Sequence, residues 1–334
     1  MSISQKRIFG YDLIKTIAII LIVNYHLGGI DYGTINPEGL YLPNFNKLLS
    51  LFCAAGVPLF FMVNGALMTP KNIGWKQTIS RSLHLLFILI FWKVILQYVI
   101  CQRILFISEN MSHFWFLGTL SIVYIISVLL SYHKLIKILI LSLLFIHPFI
   151  TNFLLDFVIL FSPSLKPHFW NHTGFFTLYA VLYYFIGSWF RDKRLPSIIS
   201  FALILFGFLF IIFEVIVMSN YFHSIYDGVN SSFPTIGALL LSLGFFMLLK
   251  EVSANKLFLN HSITFVGKNT MGIYLFHVLF IFLLRHYNLI GDDHISLLMS
   301  VGLTFIIILL SSFIGYLLLN SKFSFLIHFT SRNS

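Results

Sequence analysis

Lys15 and His26 lie in one apolar stretch, eleven residues apart. Eleven residues make close to three helical turns, so the two share a face and stand about 16 Å apart along it. Asp12, three residues before Lys15, joins the same face. One stripe therefore offers an acid and a cation at one end and an imidazole toward the other. A cation can hold an anionic donor group, and an imidazole can act as general base on a hydroxyl. A charge near the centre of a bilayer costs at least ~2.5–3.5 kcal/mol, so such groups need partners or a water-filled cavity. Further candidates occupy other apolar stretches. His113-Phe114-Trp115-Phe116-Leu117 opens one, Glu214 sits in another, and Tyr274-Leu275-Phe276-His277 in a third. Glu214 can orient the His26 ring or pair with Lys93, and the sequence leaves both open. Asn24, two residues from His26, points to a different face. Lys71, Lys76 and Arg81 form a cationic cluster that can hold phosphates. Trp115, and Trp170 in His168-Phe169-Trp170-Asn171-His172, can stack a sugar ring. The second of these segments has HxxxH spacing, but no carboxylate or thiolate lies nearby and no metal is expected. No P-loop, GxGxxG, GxSxG or zinc signature occurs.

The elements that must position these groups are membrane spans. Of 334 residues, 58% are hydrophobic and 10% charged, against about 25% charged in a soluble domain. Ten apolar stretches can each cross about 30 Å of hydrocarbon: 12–30, 48–68, 82–103, 112–131, 135–153, 174–190, 196–218, 233–250, 270–287 and 295–319. An even number puts both termini on one side. That side collects Lys6, Arg7, Lys71, Lys76, Arg81, Lys134, Lys137, Arg191, Lys193, Arg194, Lys250, Lys256, Lys268, Lys322 and Arg332. The other side has only Lys47, Arg103, Lys166 and Arg285, so the termini are expected in the cytoplasm. The net charge of +10 is thereby a topology signal, and no nucleic-acid partner is expected. Asp12 and Lys15 precede the first apolar core and no A-x-A-like site follows it, so a cleaved signal peptide is not expected. The expectation is an all-α polytopic membrane protein of about ten helices, one transmembrane domain over 1–334 with no appended soluble domain.

These residues resemble the acyltransferase-3 family of membrane acyltransferases. The resemblance rests on Asp12-x-x-Lys15 with His26, on Val57-Pro58-Leu59-Phe60-Phe61-Met62-Val63-Asn64-Gly65, on the basic segment ending in Arg81, and on His113 to Leu117. Tyr183-Tyr184-Phe185-Ile186-Gly187 and Ile273 to His277 are similar to the later landmarks, so the likeness runs from about residue 7 to 319. It departs where the usual arginine is Lys15, which keeps the charge but not the bidentate fork, and where the usual serine is Asn64. The resemblance implies transfer of an acyl group, usually acetyl, from cytoplasmic acyl-CoA to a hydroxyl of an extracytoplasmic or lipid-linked glycan, in a bacterial inner membrane. It implies a donor substrate and no tightly bound cofactor. His26 would be the general base, with Glu214 and His113 beside it. Lys15, Lys76 and Arg81 would hold the donor's phosphates, and Trp115, Trp170 and His277 would meet substrate. A transporter of a lipid-linked glycan is the alternative, since it too needs many spans and buried charges.

Overall fold

A computed structural model describes residues 8–28, 34–35, 41–68, 74–101, 113–161, 178–223, 226–229, 233–254, 260–290 and 295–327. Apart from a two-residue strand pair, Thr34–Ile35 with Tyr41–Leu42, the regular structure among them is helical. Hydrocarbon offers the backbone no partner, so a spanning segment must satisfy its own amides and carbonyls, which a helix does. Helix α1 is Phe9–Leu27. α2, Phe45–Ser50, runs through a 3₁₀ turn at Leu51–Ala55 into α3, Gly56–Met68. α4 is Trp75–Cys101 and α5 Trp115–Ser131. α6, Lys134–Leu144, passes through a π turn at Phe145–Ile150 into α7, Thr151–Phe161. α8 is Leu178–Phe190, α9 Ser197–Phe222, α10 Ile236–Leu249, α11 Asn260–His286 and α12 Leu297–Leu319.

All ten predicted stretches are occupied by helix. Among the described residues, seven helical segments are long and apolar enough to cross a membrane, and α5, α8 and α10 are shorter apolar helices. The protein is an all-α polytopic membrane protein. Several boundaries differ from the hydropathy reading. The α6–α7 segment continues past His147-Pro148, because the π turn absorbs the interruption. Asp156 is a buried residue of α7. α11 begins ten residues before the predicted span. Its opening, Asn260-His261-Ser262-Ile263-Thr264, is too polar to register as apolar, yet the helix runs through it.

α1 occupies the middle of the molecule, packed against α3, α10, α11 and α12. α9 pairs with α10, α11 with α12, and α4 with α5. The outer faces of α6, α9 and α12 expose large apolar side chains such as Leu139, Phe206 and Leu309, as a lipid-facing surface requires. α3 and α8 approach closely through two glycines. A Cβ on Gly65 would fall 1.7 Å from the Tyr184 carbonyl oxygen, and one on Gly187 would fall 1.9 Å from that of Met62. Small residues let helix backbones touch where lipid supplies no hydrophobic drive. Tyr184 secures the seam by donating its hydroxyl to the Met68 carbonyl at 2.8 Å.

Gly187→Leu must separate α3 from α8. Overpacking of this kind costs about 1–3 kcal/mol, read as a lower thermal unfolding midpoint of the detergent-purified protein. Gly302→Leu, where a Cβ meets nothing within 4 Å, is expected to leave the midpoint unchanged.

Candidate active site

Three histidines from three helices meet inside the bundle. His26 stands near the end of α1, His113 just before α5, and His277 seventeen residues into α11. The His26 and His277 ring centroids are 5.2 Å apart at 72°. Those of His277 and His113 are 5.6 Å apart at 78°. His277 is fully buried and His113 nearly so. The early start of α11 at Asn260 puts His277 well inside the helix, at the depth of His26.

Main-chain carbonyls orient two of the rings. Nδ1 of His26 lies 2.8 Å from the Ile22 carbonyl oxygen. Nδ1 of His277 lies 3.1 Å from that of Ile273 and 2.8 Å from that of Tyr274. A carbonyl only accepts, so each Nδ1 carries the hydrogen and each Nε2 is left as the potential base. Nε2 of His277 and both ring nitrogens of His113 are buried without a hydrogen-bond partner among the described residues. The Tyr274 hydroxyl donates to the His113 carbonyl, tying α11 to the start of α5.

Glu214, buried on α9, accepts from the Tyr226 hydroxyl at 3.5 Å. Asn24 turns toward α12, donating to Ser300 at 2.9 Å and Thr304 at 3.2 Å. An acid is tied to the residue beside His26. The Asp227 carboxylate accepts the Tyr25 hydroxyl at 3.2 Å and the Val229 amide at 3.3 Å. Lys47, counted above as a loop charge, is fully buried and donates to the Asp227 carbonyl. Asn44 sets that lysine in place by capping α2 through the Lys47 amide at 2.9 Å. At the end of α1, Arg285 donates to the Leu27 carbonyl at 2.9 Å.

A cavity of about 680 Å³ opens at the opposite end of α1 and runs toward the histidines. Lys15, Arg81, Lys268 and His84 stand in its lining. Asp12 holds the Lys15 ammonium at 3.3 Å. Phe60, Val63, Leu85, Ile88 and Leu120 give the cavity apolar walls, and Asn64 and Tyr124 join within it through a 2.7 Å hydrogen bond. The cavity reaches Phe116 and Tyr274, and Tyr274 lies one helical turn before His277.

Lys15 and Arg81 thus meet on one cavity, and Lys76 does not. α4 already begins at Trp75, so five helical residues separate Lys76 from Arg81. That spacing turns them about 140° apart. Lys76 is exposed, 5.6 Å over the Trp75 ring. Lys268 and His84 complete the charged lining, and sequence had given Lys268 only a topological role. Trp115 is half-buried near His113, 6.3 Å from the Phe233 ring. Trp170 lies outside the described residues. Among those residues, no group of three or more His, Cys, Asp or Glu side chains is placed so that it could hold a metal ion.

A family model described as an acyltransferase domain matches residues 8–319. The chain belongs to the acyltransferase-3 family. It is a membrane acyltransferase, and the histidine cluster with its cation-lined cavity is the candidate active site of that acyltransferase. No curated protein and no solved structure matches it.

Asp227→Ala removes the acceptor of the Tyr25 hydroxyl and Val229 amide. An orphaned buried polar group costs about 1–3 kcal/mol. The variant is expected to be cleaved faster by protease in the segment carrying residue 227, with Glu214→Gln as a milder comparison.

Proposed function

We propose that the protein transfers an acetyl group from cytoplasmic acetyl-CoA to a hydroxyl of an extracytoplasmic or lipid-linked glycan, with His26 as general base. One observation carries this reading. The cavity has cations where an anionic donor would enter and ends one helical turn from the histidine cluster. Lysine and arginine match the donor's phosphates, Arg81 as a fork and Lys15 as a point charge. The apolar walls suit the uncharged pantetheine arm. Length supports the match. Nine residues of α11 separate Lys268 from His277, about 13–14 Å of helix. An extended pantetheine arm of roughly twelve bonds covers about 14 Å at the spacing of an extended chain. A donor with its phosphates near Lys268 brings its thioester to the histidines.

The lysine-rich end of the fold is then the cytoplasmic one, in keeping with the distribution of basic residues. The acceptor comes from the other end, past Trp115, whose ring can lie against a sugar. Nε2 of His26 takes the proton of the acceptor hydroxyl as its oxygen attacks the thioester carbonyl carbon. The tetrahedral intermediate collapses, the carbon–sulfur bond breaks, and the departing CoA thiolate takes the proton back from the imidazolium. Donor and acceptor become CoA thiol and acetyl ester with no proton gained or lost. A carbonyl rather than a carboxylate holds Nδ1 among the described residues, and a partner without charge favours rapid return of the proton to sulfur. Tyr274 stands between the cavity and His277, so thioester entry requires its ring to swing aside. His113 and His277 flank the reacting centre. In this reading the protein is a multi-pass protein of a bacterial inner membrane.

The test is transfer by purified protein supplied with radiolabelled acetyl-CoA and an envelope glycan fraction. His26→Ala is expected to lose about 10²–10⁴-fold in rate while remaining folded in detergent. Lys15→Ala and Arg81→Ala are expected to raise KM for acetyl-CoA with less effect on kcat. Wild-type protein that is folded yet neither binds nor consumes acetyl-CoA overturns the proposal and favours a glycan transporter.

A further inference from the structure

A second cleft, of about 490 Å³, lies between α11 and α12 beside the donor cavity, sharing Lys268 and Leu319 with it. Its character is different. Asn260, Thr264, Asn269 and Asn320 line it together with an aromatic pair, Phe265 and Tyr316. The two rings have centroids 5.9 Å apart at 46° and are 38% and 48% exposed. Asn269 is 2% exposed, donates to the Phe265 carbonyl at 2.9 Å and has no partner for Oδ1 among the described residues. Amides and open aromatic faces beside a lysine form a nucleotide-type surface, since any base has a π face to stack.

The length of the donor points to the same place. The pantetheine arm spans the distance from the histidines to Lys268, so the diphosphate lies at Lys268 and the nucleotide lies beyond it. The cleft that continues from Lys268 is this one. Resting on the acetyl-CoA reading above, we propose that the nucleotide end of the donor binds between α11 and α12. Its base lies against Tyr316 and Phe265, and its diphosphate at Lys268. The site would make the enzyme selective for the whole CoA thioester over shorter thioesters.

The full-length protein in detergent is assayed with acetyl-CoA and with S-acetylpantetheine, which lacks the nucleotide. The readout is the ratio of kcat/KM for the two donors. Wild type is expected to prefer acetyl-CoA. Tyr316→Ala and Asn320→Ala, both at the exposed end of α12, are expected to reduce that preference, Tyr316→Ala by roughly tenfold, as loss of one stacking partner implies. Unchanged preference in both variants, with acetyl-CoA still a substrate, overturns the nucleotide site and leaves the transferase reading intact. Equal loss with both donors also overturns it, and points to a structural role or a phospholipid headgroup in the cleft. Wild-type protein inert toward acetyl-CoA overturns the transferase reading and this site with it.

Discussion

Hydrocarbon cannot take a hydrogen bond, and α1 carries Asp12, Lys15, Asn24 and His26 through it. No single helix can carry those groups against lipid. The rest of the bundle is arranged so that protein, rather than acyl chains, meets each of them. α11 closes on the Asp12 end, where Gly267 brings its backbone within van der Waals distance of Asp12. α12 supplies hydroxyls to Asn24. α3 covers the apolar flank, and α8 seats on α3 through its glycine seam. The helices that face lipid need only be apolar, and they are.

The same constraint sorts the polar residues into two roles. Lys47 and Asp227 are held by each other and by the surrounding main chain, and they fix a loop against Tyr25. Lys250, likewise buried, donates to the carbonyls of Phe190, Arg191 and Lys193 and so ties the end of α10 to the segment after α8. These charges are consumed by structure. The groups of the histidine cluster are different: Nε2 of His277 and both nitrogens of His113 have no hydrogen-bond partner among the described residues. Buried polar atoms are nearly always satisfied in folded proteins, so an orphaned set at the end of a cation-lined cavity marks a place where a ligand's polar atoms belong.

The apolar helical stretches were legible in the sequence because hydropathy reports what lipid tolerates. Their ends were less so. The polar opening of α11 belongs to a helix shielded in part by α1 and α12, and averaging over apolar content misses it. That error left Lys268 as a topology signal. Lys76 was grouped with Arg81 because both were read as loop residues, and helical phase separates them. Lys15 and His26 were found because their spacing matches the helical repeat. Pairing of Glu214 with His26 could not be tested by spacing, since the two lie on different helices.

The orientation of His26 has a hereditary consequence. A side-chain partner is specified by one codon and can be lost by changing it. The Ile22 carbonyl belongs to the backbone, and every residue at position 22 that keeps the helix supplies the same oxygen. The imidazole is therefore aimed by conformation and not by the identity of a neighbour. Substitution at position 22 would leave that hydrogen bond in place, and the apolar positions about the ring are free to drift so long as the helix persists.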